Sequence, residues 1–267
     1  MLRPAVQLLR FRGLVATLTA RELKARYRGS VLGFFWSLVN PLLLLAVYSF
    51  VFGLVFRRPV GGDSEPYAVF LITGLFLWIW ASTSILEGTM SLITNVGLLR
   101  KAVFPAEVLP VVAVAANLAH FLLALPIVAV ALVAGRALGH PVGGWPALLL
   151  PVVIALQLPM VAGLALGLAA LNVHFKDVRD LLANLLTLLF FIAPIIYPLS
   201  AVTIRPLVWL IRANPFTPFV LAYQQTLFAG AVPGPWLWAQ MAAVAALSWA
   251  GGAWLFARLR DTLVEAV

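Results

Sequence analysis

The sequence predicts an all-α membrane protein: six transmembrane helices, an N-terminal amphipathic interfacial helix, and short re-entrant outer helices between spans five and six. Three observations predict it. Hydrophobic residues make up 63% of the chain and charged ones 10%, where a soluble domain carries about 25% charged residues. Such a chain cannot cover a water-facing surface, so its solvent is lipid. Uncharged runs repeatedly reach the roughly 20 residues that a spanning helix needs. Finally, lysine and arginine fall unevenly between those runs, and that asymmetry sets an orientation.

The elements follow in chain order. Residues 5–28 read as the interfacial helix: Leu14 and Leu18 share one face, and Arg21, Lys24 and Arg28 share another. Residues 31–56 carry no charge. At about 1.5 Å per residue they are long enough to cross with tilt. Asn40–Pro41 is expected to kink this span, and Asn40 and Tyr48 should avoid lipid. Further spans are expected at 66–94, 105–134, 147–172, 181–199 and 236–257. Residues 200–235 are too long for a turn and too polar and proline-rich for a seventh span. They read as outer gate helices broken at Pro206, Pro215 and Pro218. Backbone of this kind is tolerated at membrane depth only where protein or water covers it. No tandem repeat interrupts the chain, and residues 1–267 read as one membrane domain. The N-terminal stretch lacks an apolar run long enough for a signal peptide, so the first span is expected to be retained.

An even number of spans puts both termini on one side. With that side cytoplasmic, thirteen basic residues lie inside: Arg3, Arg10, Arg12, Arg21, Lys24, Arg26, Arg28, Arg100, Lys101, Lys176, Arg179, Arg258 and Arg260. Five lie outside: Arg57, Arg58, Arg136, Arg205 and Arg212. The distribution favours a cytoplasmic N-terminus, with both termini on that side. The net charge of +9 is spread between apolar spans rather than gathered on one polar face. It therefore points to membrane lipid or a charged lipid headgroup, not nucleic acid.

Several chemistries are missing. There is no cysteine, hence no disulfide or thiolate metal site. None of the lysines, Lys24, Lys101 and Lys176, follows a glycine, so the chain has no G-x-x-x-x-G-K-[ST] phosphate loop of its own. His120, His140 and His174 form no H-E-x-x-H pair, and His120 reads as a helix–helix hydrogen-bonding group. One stretch, NVHFKDVRD, resembles the Asn- and Asp-rich metal-pyrophosphate motifs of membrane prenyltransferases through Asn172, Asp177 and Asp180. The spacing is off by one, and no second acidic cluster accompanies it. Short local pairs among Lys176, Asp177, Arg179 and Asp180 are the simpler reading.

Four stretches in order carry a family resemblance: RELKARYRGSVLGFFWSLVNPLLLLAVYSFVF, LRKAVFPAEVLP, FKDVRDLLANLLTLLFFIAPIIYP and NPFTPFVLAYQQTLFAG. Together they resemble the permease subunit of an ABC-2 type exporter, nearest the branch that moves O-antigen, capsule or teichoic-acid polymers on a lipid carrier. The resemblance implies a homodimer and two copies of a separate ATPase subunit, which would hold ATP and Mg; no cofactor is expected in this chain. It also implies that Asn95, Val96, Gly97, Leu98, Leu99, Arg100 and Lys101 form the coupling helix that rests on the ATPase. An apolar ridge at Leu98 and Leu99 beside a charged rim suits such docking.

Two further sites are expected from the residues themselves. In RYRGSVLG, Ser30 can cap the first span, where free N–H groups favour anions, and Gly29 and Gly33 allow close approach of a ligand. Arg26 and Arg28 can grip phosphate oxygens in bidentate fashion, and Tyr27 can pack on an isoprenoid or a sugar. Here a lipid-linked pyrophosphate is expected to enter. Along span two, Thr73, Phe76, Trp80, Thr83 and Glu87 recur at spacings of three and four and so share a face. Aromatic rings and hydroxyls suit sugars, and Glu87 must face protein or water, so the stripe reads as a channel lining. Helix packing would give the same periodicity. The leading expectation is export of a lipid-linked polysaccharide. Export of a small hydrophobic drug or lipid, a prenyltransferase-like enzyme and an assembly subunit compete with it.

Overall fold

The computed structural model describes residues 2–29, 35–55, 66–101 and 105–266. Two helices open the chain, α1 (Leu2–Arg10) and α2 (Arg12–Tyr27). Helix α3 (Trp36–Tyr48) passes through Pro41 and continues as a π-helical stretch, Ser49–Val55. The irregularity in this span thus falls after Tyr48, with Pro41 inside a continuous helix. Helix α4 (Tyr67–Thr94) is followed by the short α5 (Val96–Lys101) and by α6 (Val108–Ala137). A 3₁₀ turn (Trp145–Leu149) leads into α7 (Leu150–His174), and α8 (Val178–Ile192) follows. Then come α9 (Arg205–Ala213), α10 (Thr217–Tyr223) with a π-helical extension Gln224–Phe228, and α11 (Pro235–Ala266). No strand occurs among the described residues.

Helix α4 is the axis of the fold. It packs on α6, α7, α8 and α10. Its apolar window is 78% buried, against 6% for Leu38–Val55 in the first span. Three of its buried hydroxyls are satisfied within the helix, as an apolar surrounding favours: Thr73 donates to the Phe70 carbonyl, Thr89 to Ile85 and Ser91 to Gly88, whereas the buried Ser84 hydroxyl has no partner among the described residues. Helix α7 packs against α11 through glycines. Gly163 and Gly167 on α7 face Gly252 on α11, so closely that any Cβ there would strike the opposite backbone. Small residues that let backbones approach are how membrane helices gain contact where the hydrophobic effect offers little.

Among the described residues, five helical stretches are long and apolar enough to cross a membrane: Leu38–Val55, Tyr67–Thr94, Val108–Ala137, Trp145–His174 and Pro235–Arg260. The segment expected as a continuous span at 181–199 differs. Helix α8 stops at Ile192 after 15 residues, about 22 Å of rise against a hydrocarbon core of about 30 Å. Residues 193–196 continue without helix yet are buried. Their carbonyls are met by distant side chains: Gln224 Nε2 donates to Pro194 O (2.7 Å) and Tyr67 Oη to Ile196 O (3.0 Å). At the end of α8, Asn214 Nδ2 donates to Leu189 O (2.9 Å) and Tyr197 Oη to Ile192 O (2.7 Å). These donors supply what the broken helix leaves open.

The 200–235 region divides into unlike parts. Helix α9 lies at the surface, with Trp209 and Leu210 exposed and Ile211 turned inward. Helix α10 and its extension enter the core, where Phe219, Tyr223 and Thr226 are almost wholly buried. Both helices carry proline in their first turn, where its missing N–H costs nothing.

Candidate functional site

The sequence places one acidic residue within α4, Glu87. A carboxylate at such depth needs partners, and two neighbouring helices, α2 and α6, provide them. Arg26 of α2 reaches over, and its Nη2 lies 2.5 Å from Glu87 Oε2. Asn117 of α6 donates its Nδ2 to the same oxygen at 2.6 Å. Arg26 Nη1 donates to Asn117 Oδ1 (3.0 Å) and lies 3.5 Å from His120 Nδ1. The cluster therefore pins α2 to α4 and α6. It is only half-buried: the side chains of Arg26 and Glu87 keep 27% and 37% of their exposure.

Two cavities flank it. A cleft of about 560 Å³ lies between α2, α4 and α6, and its charged lining residues are Arg21, Glu22, Arg26 and Glu87. A groove of about 520 Å³ lies between α3, α4 and α8. Aromatic rings line it: Trp78 sits 5.7 Å from Phe190, and Tyr48 sits 5.5 Å from Phe190, centroid to centroid. Ser82, Thr83, Thr187 and Glu87 supply its polar groups. Ser82 and Thr187 donate to their own helices, Ser82 to Trp78 O and Thr187 to Ala183 O, so their oxygens remain able to accept. Glu87 is the residue common to both linings.

The expected stripe on α4 is divided by this geometry. Thr73, Phe76 and Trp80 are buried in the core, with Trp80 stacked on Phe121 at 5.2 Å. Thr83 and Glu87 reach the groove. The reason is that α4 is surrounded, so a shared face there is as readily a packing face as a lining. The groove instead recruits Trp78, Ser82 and Leu75 from the adjoining face of α4.

In the expected phosphate-binding stretch, Arg26 turns into the Glu87 cluster, whereas Arg28 is exposed. Gly29 has φ +79°, a left-handed turn that favours glycine. Ser30 and Gly33 lie outside the described residues, as does the side chain of Tyr27. Arg21, Lys24 and Arg28 line an open basic surface of α2. In the expected coupling helix, Asn95 Nδ2 donates to Ser91 O (2.9 Å). Leu98 and Leu99 pack inward on a cluster formed by Leu92, Leu109, Leu166 and Phe256. Gly97 is exposed and Val96 half-buried, while the side chains of Arg100 and Lys101 lie outside the described residues. Beside this cluster Glu107 is buried and pairs with Arg260 at 3.4 Å.

Asn172, Asp177 and Asp180 do not converge. Asn172 is buried and donates to Thr89 O (3.2 Å), while Asp177 and Asp180 are exposed. Among the described residues no three acidic or histidine side chains gather as metal ligands do. Sequence reasoning named His120 only as a helix–helix group and missed Arg26 as the partner of Glu87. The available signal was physical, since an acid within a span demands a cation.

The profile of the ABC-2 type transporter family matches residues 13–228. The chain belongs to the ABC-2 type transporter family. It is a multi-pass membrane component of a transporter. It is 38% identical over 274 aligned positions to the O-antigen export system permease protein RfbA of Myxococcus xanthus, covering all of both chains. Two proteins of the same name from Klebsiella pneumoniae are 31% and 32% identical, each over 81% of both chains.

Proposed function

We propose that this chain is the membrane-spanning permease subunit of an ATP-driven exporter that moves a lipid-linked, O-antigen-like polysaccharide from the cytoplasm across the inner membrane. The groove between α3, α4 and α8 carries the reading. Rings of Tyr48, Trp78 and Phe190 suit the apolar faces of sugars, and the oxygens of Ser82, Thr83 and Thr187 can accept from sugar hydroxyls. The relatives are O-antigen export permeases by name, which favours a polysaccharide cargo over a drug or small lipid.

Two copies of the chain would face each other across their grooves. The exposed apolar residues beside them, Leu43 and Val47 on α3 and Leu188 on α8, are then covered by the second copy or by lipid. Two copies of a separate ATPase subunit would hold ATP and Mg and press on α5, from Asn95 to Lys101. The inward packing of Leu98 and Leu99 would pass that pressure to α6, α7 and α11. The excess of basic residues on one side supports cytoplasmic termini. The lipid pyrophosphate would enter at α2, against Arg26, Tyr27, Arg28, Gly29, Ser30 and Gly33.

The test is purification of the tagged chain from its native membranes in mild detergent. Co-purification of an ATPase with a polyprenyl-linked glycan is expected. An ATPase without glycan would favour a drug or lipid exporter, and the absence of any ATPase would overturn the proposal.

A further inference from the structure

Glu87 and Arg26 form an unusual pair for a membrane interior, because neither is sealed. Both side chains retain partial exposure, whereas Glu107, the acid paired with Arg260, is buried. Arg26 and Asn117 crowd onto one oxygen, Glu87 Oε2. The guanidinium carries five N–H donors in a fixed fork, and Arg26 meets Asn117, His120 and Glu87 through its Nη1 and Nη2 atoms. The charged lining of the cleft is balanced, with Arg21 and Arg26 against Glu22 and Glu87. The basic surface of Arg21, Lys24 and Arg28 draws a phosphate toward α2, but inside the cleft it meets a balanced lining while Glu87 stays in place. Should Glu87 swing away, the cleft becomes net positive, and Arg26 presents the bidentate edge that phosphate oxygens fit best. The groove behind offers Glu87 a place to go, since the residue already borders it.

We infer that the Arg26–Glu87 pair is a displaceable latch over a phosphate-binding site: a prenyl pyrophosphate headgroup in the cleft takes Arg26 from Glu87. The released carboxylate then faces the groove, where it accepts hydrogen bonds from cargo hydroxyls. Asn117 holds both partners in the latched state. Arrival of the headgroup and preparation of the groove thereby become one event, and α2 loosens from α4 as it happens. The inference rests on the reading that a lipid-linked pyrophosphate enters at α2. It adds that Glu87 opposes binding, which a simple basic site does not predict.

The experiment measures binding of farnesyl pyrophosphate, and separately of inorganic pyrophosphate, to the purified exporter complex in nanodiscs. The wild type is compared with Glu87→Gln, Arg26→Gln and Asn117→Ala, each checked for an unchanged unfolding midpoint. Glu87→Gln is expected to bind farnesyl pyrophosphate about fivefold tighter than wild type, and Arg26→Gln to lose binding. Asn117→Ala weakens the latch without removing a charge, so it is expected to gain affinity by a smaller factor. It also keeps the test open should Glu87→Gln fail to fold. Wild-type binding with no gain in either Glu87→Gln or Asn117→Ala overturns the latch and leaves the headgroup reading standing. No binding in any form overturns both. Equal affinity for inorganic pyrophosphate refutes the lipid part of the assignment.

Discussion

Adjacent glycines in α11 allow a matched test of the α7–α11 contact. Gly252 is buried, and a Cβ built on it would lie 2.5 Å from the Gly163 carbonyl carbon and closer still to its oxygen. Gly251 is exposed, and a Cβ there meets nothing within 4 Å. Ordinary contact begins near 3.4 Å, so Gly252→Ala must part the helices locally by at least about 1 Å, a gap that forfeits about half or more of each affected dispersion contact. Overpacking of this kind costs about 1–3 kcal/mol. Both substitutions gain the same helix propensity, up to about 1 kcal/mol, so that contribution cancels between them. Gly252→Ala should therefore be less stable than Gly251→Ala by about 1–3 kcal/mol. Reversible unfolding in mixed micelles, followed by the intrinsic fluorescence of the nine tryptophans, measures the difference. Equal stability of the two variants would refute the close helix crossing.

Other expectations follow from single contacts. Gln224→Leu removes the donor to Pro194 O and should destabilise the fold by about 1–3 kcal/mol, the cost of stranding a buried carbonyl; the same unfolding measurement reads it. Arg260→Gln leaves the buried carboxylate of Glu107 without its cation and should cost about 1–2 kcal/mol, less than a sealed pair because Arg260 is half-exposed. Adding Glu107→Gln should recover part of that loss in a double-mutant cycle. Gln157 is fully buried with both amide atoms unpartnered. Gln157→Met should raise the unfolding midpoint, by up to about 1–2 kcal/mol in stability, because it removes an unmet desolvation cost; a fall would show that the amide holds a group of its own.

Long uninterrupted apolar runs were the legible part of the fold. The span expected from Pro66 to Thr94 is the helix Tyr67–Thr94, because apolar length alone dictates a helix in lipid. The break after Ile192 was not legible. The groups that make it affordable, Gln224 and Tyr67, lie 30 and 129 residues from the carbonyls they meet. The stripe from Thr73 to Glu87 shows a different limit. In water, a polar face marks the outside of a helix; in lipid, apolar residues face both lipid and neighbours, so periodicity does not tell lining from core. Arg26 and Glu87 were each legible as charges requiring an explanation. That they explain one another, across 61 residues, needed the three-dimensional arrangement.

The central position of α4 has a consequence for genetics. Nearly every side chain of this helix supports its neighbours, so alleles there will lower the amount of protein in the membrane before they reveal anything about cargo. A screen for lost surface polymer will therefore gather in α4 and report folding. Alleles on the open faces of α3 and α8 will be fewer. Those that change the exported product at normal protein abundance are the ones that will trace the route.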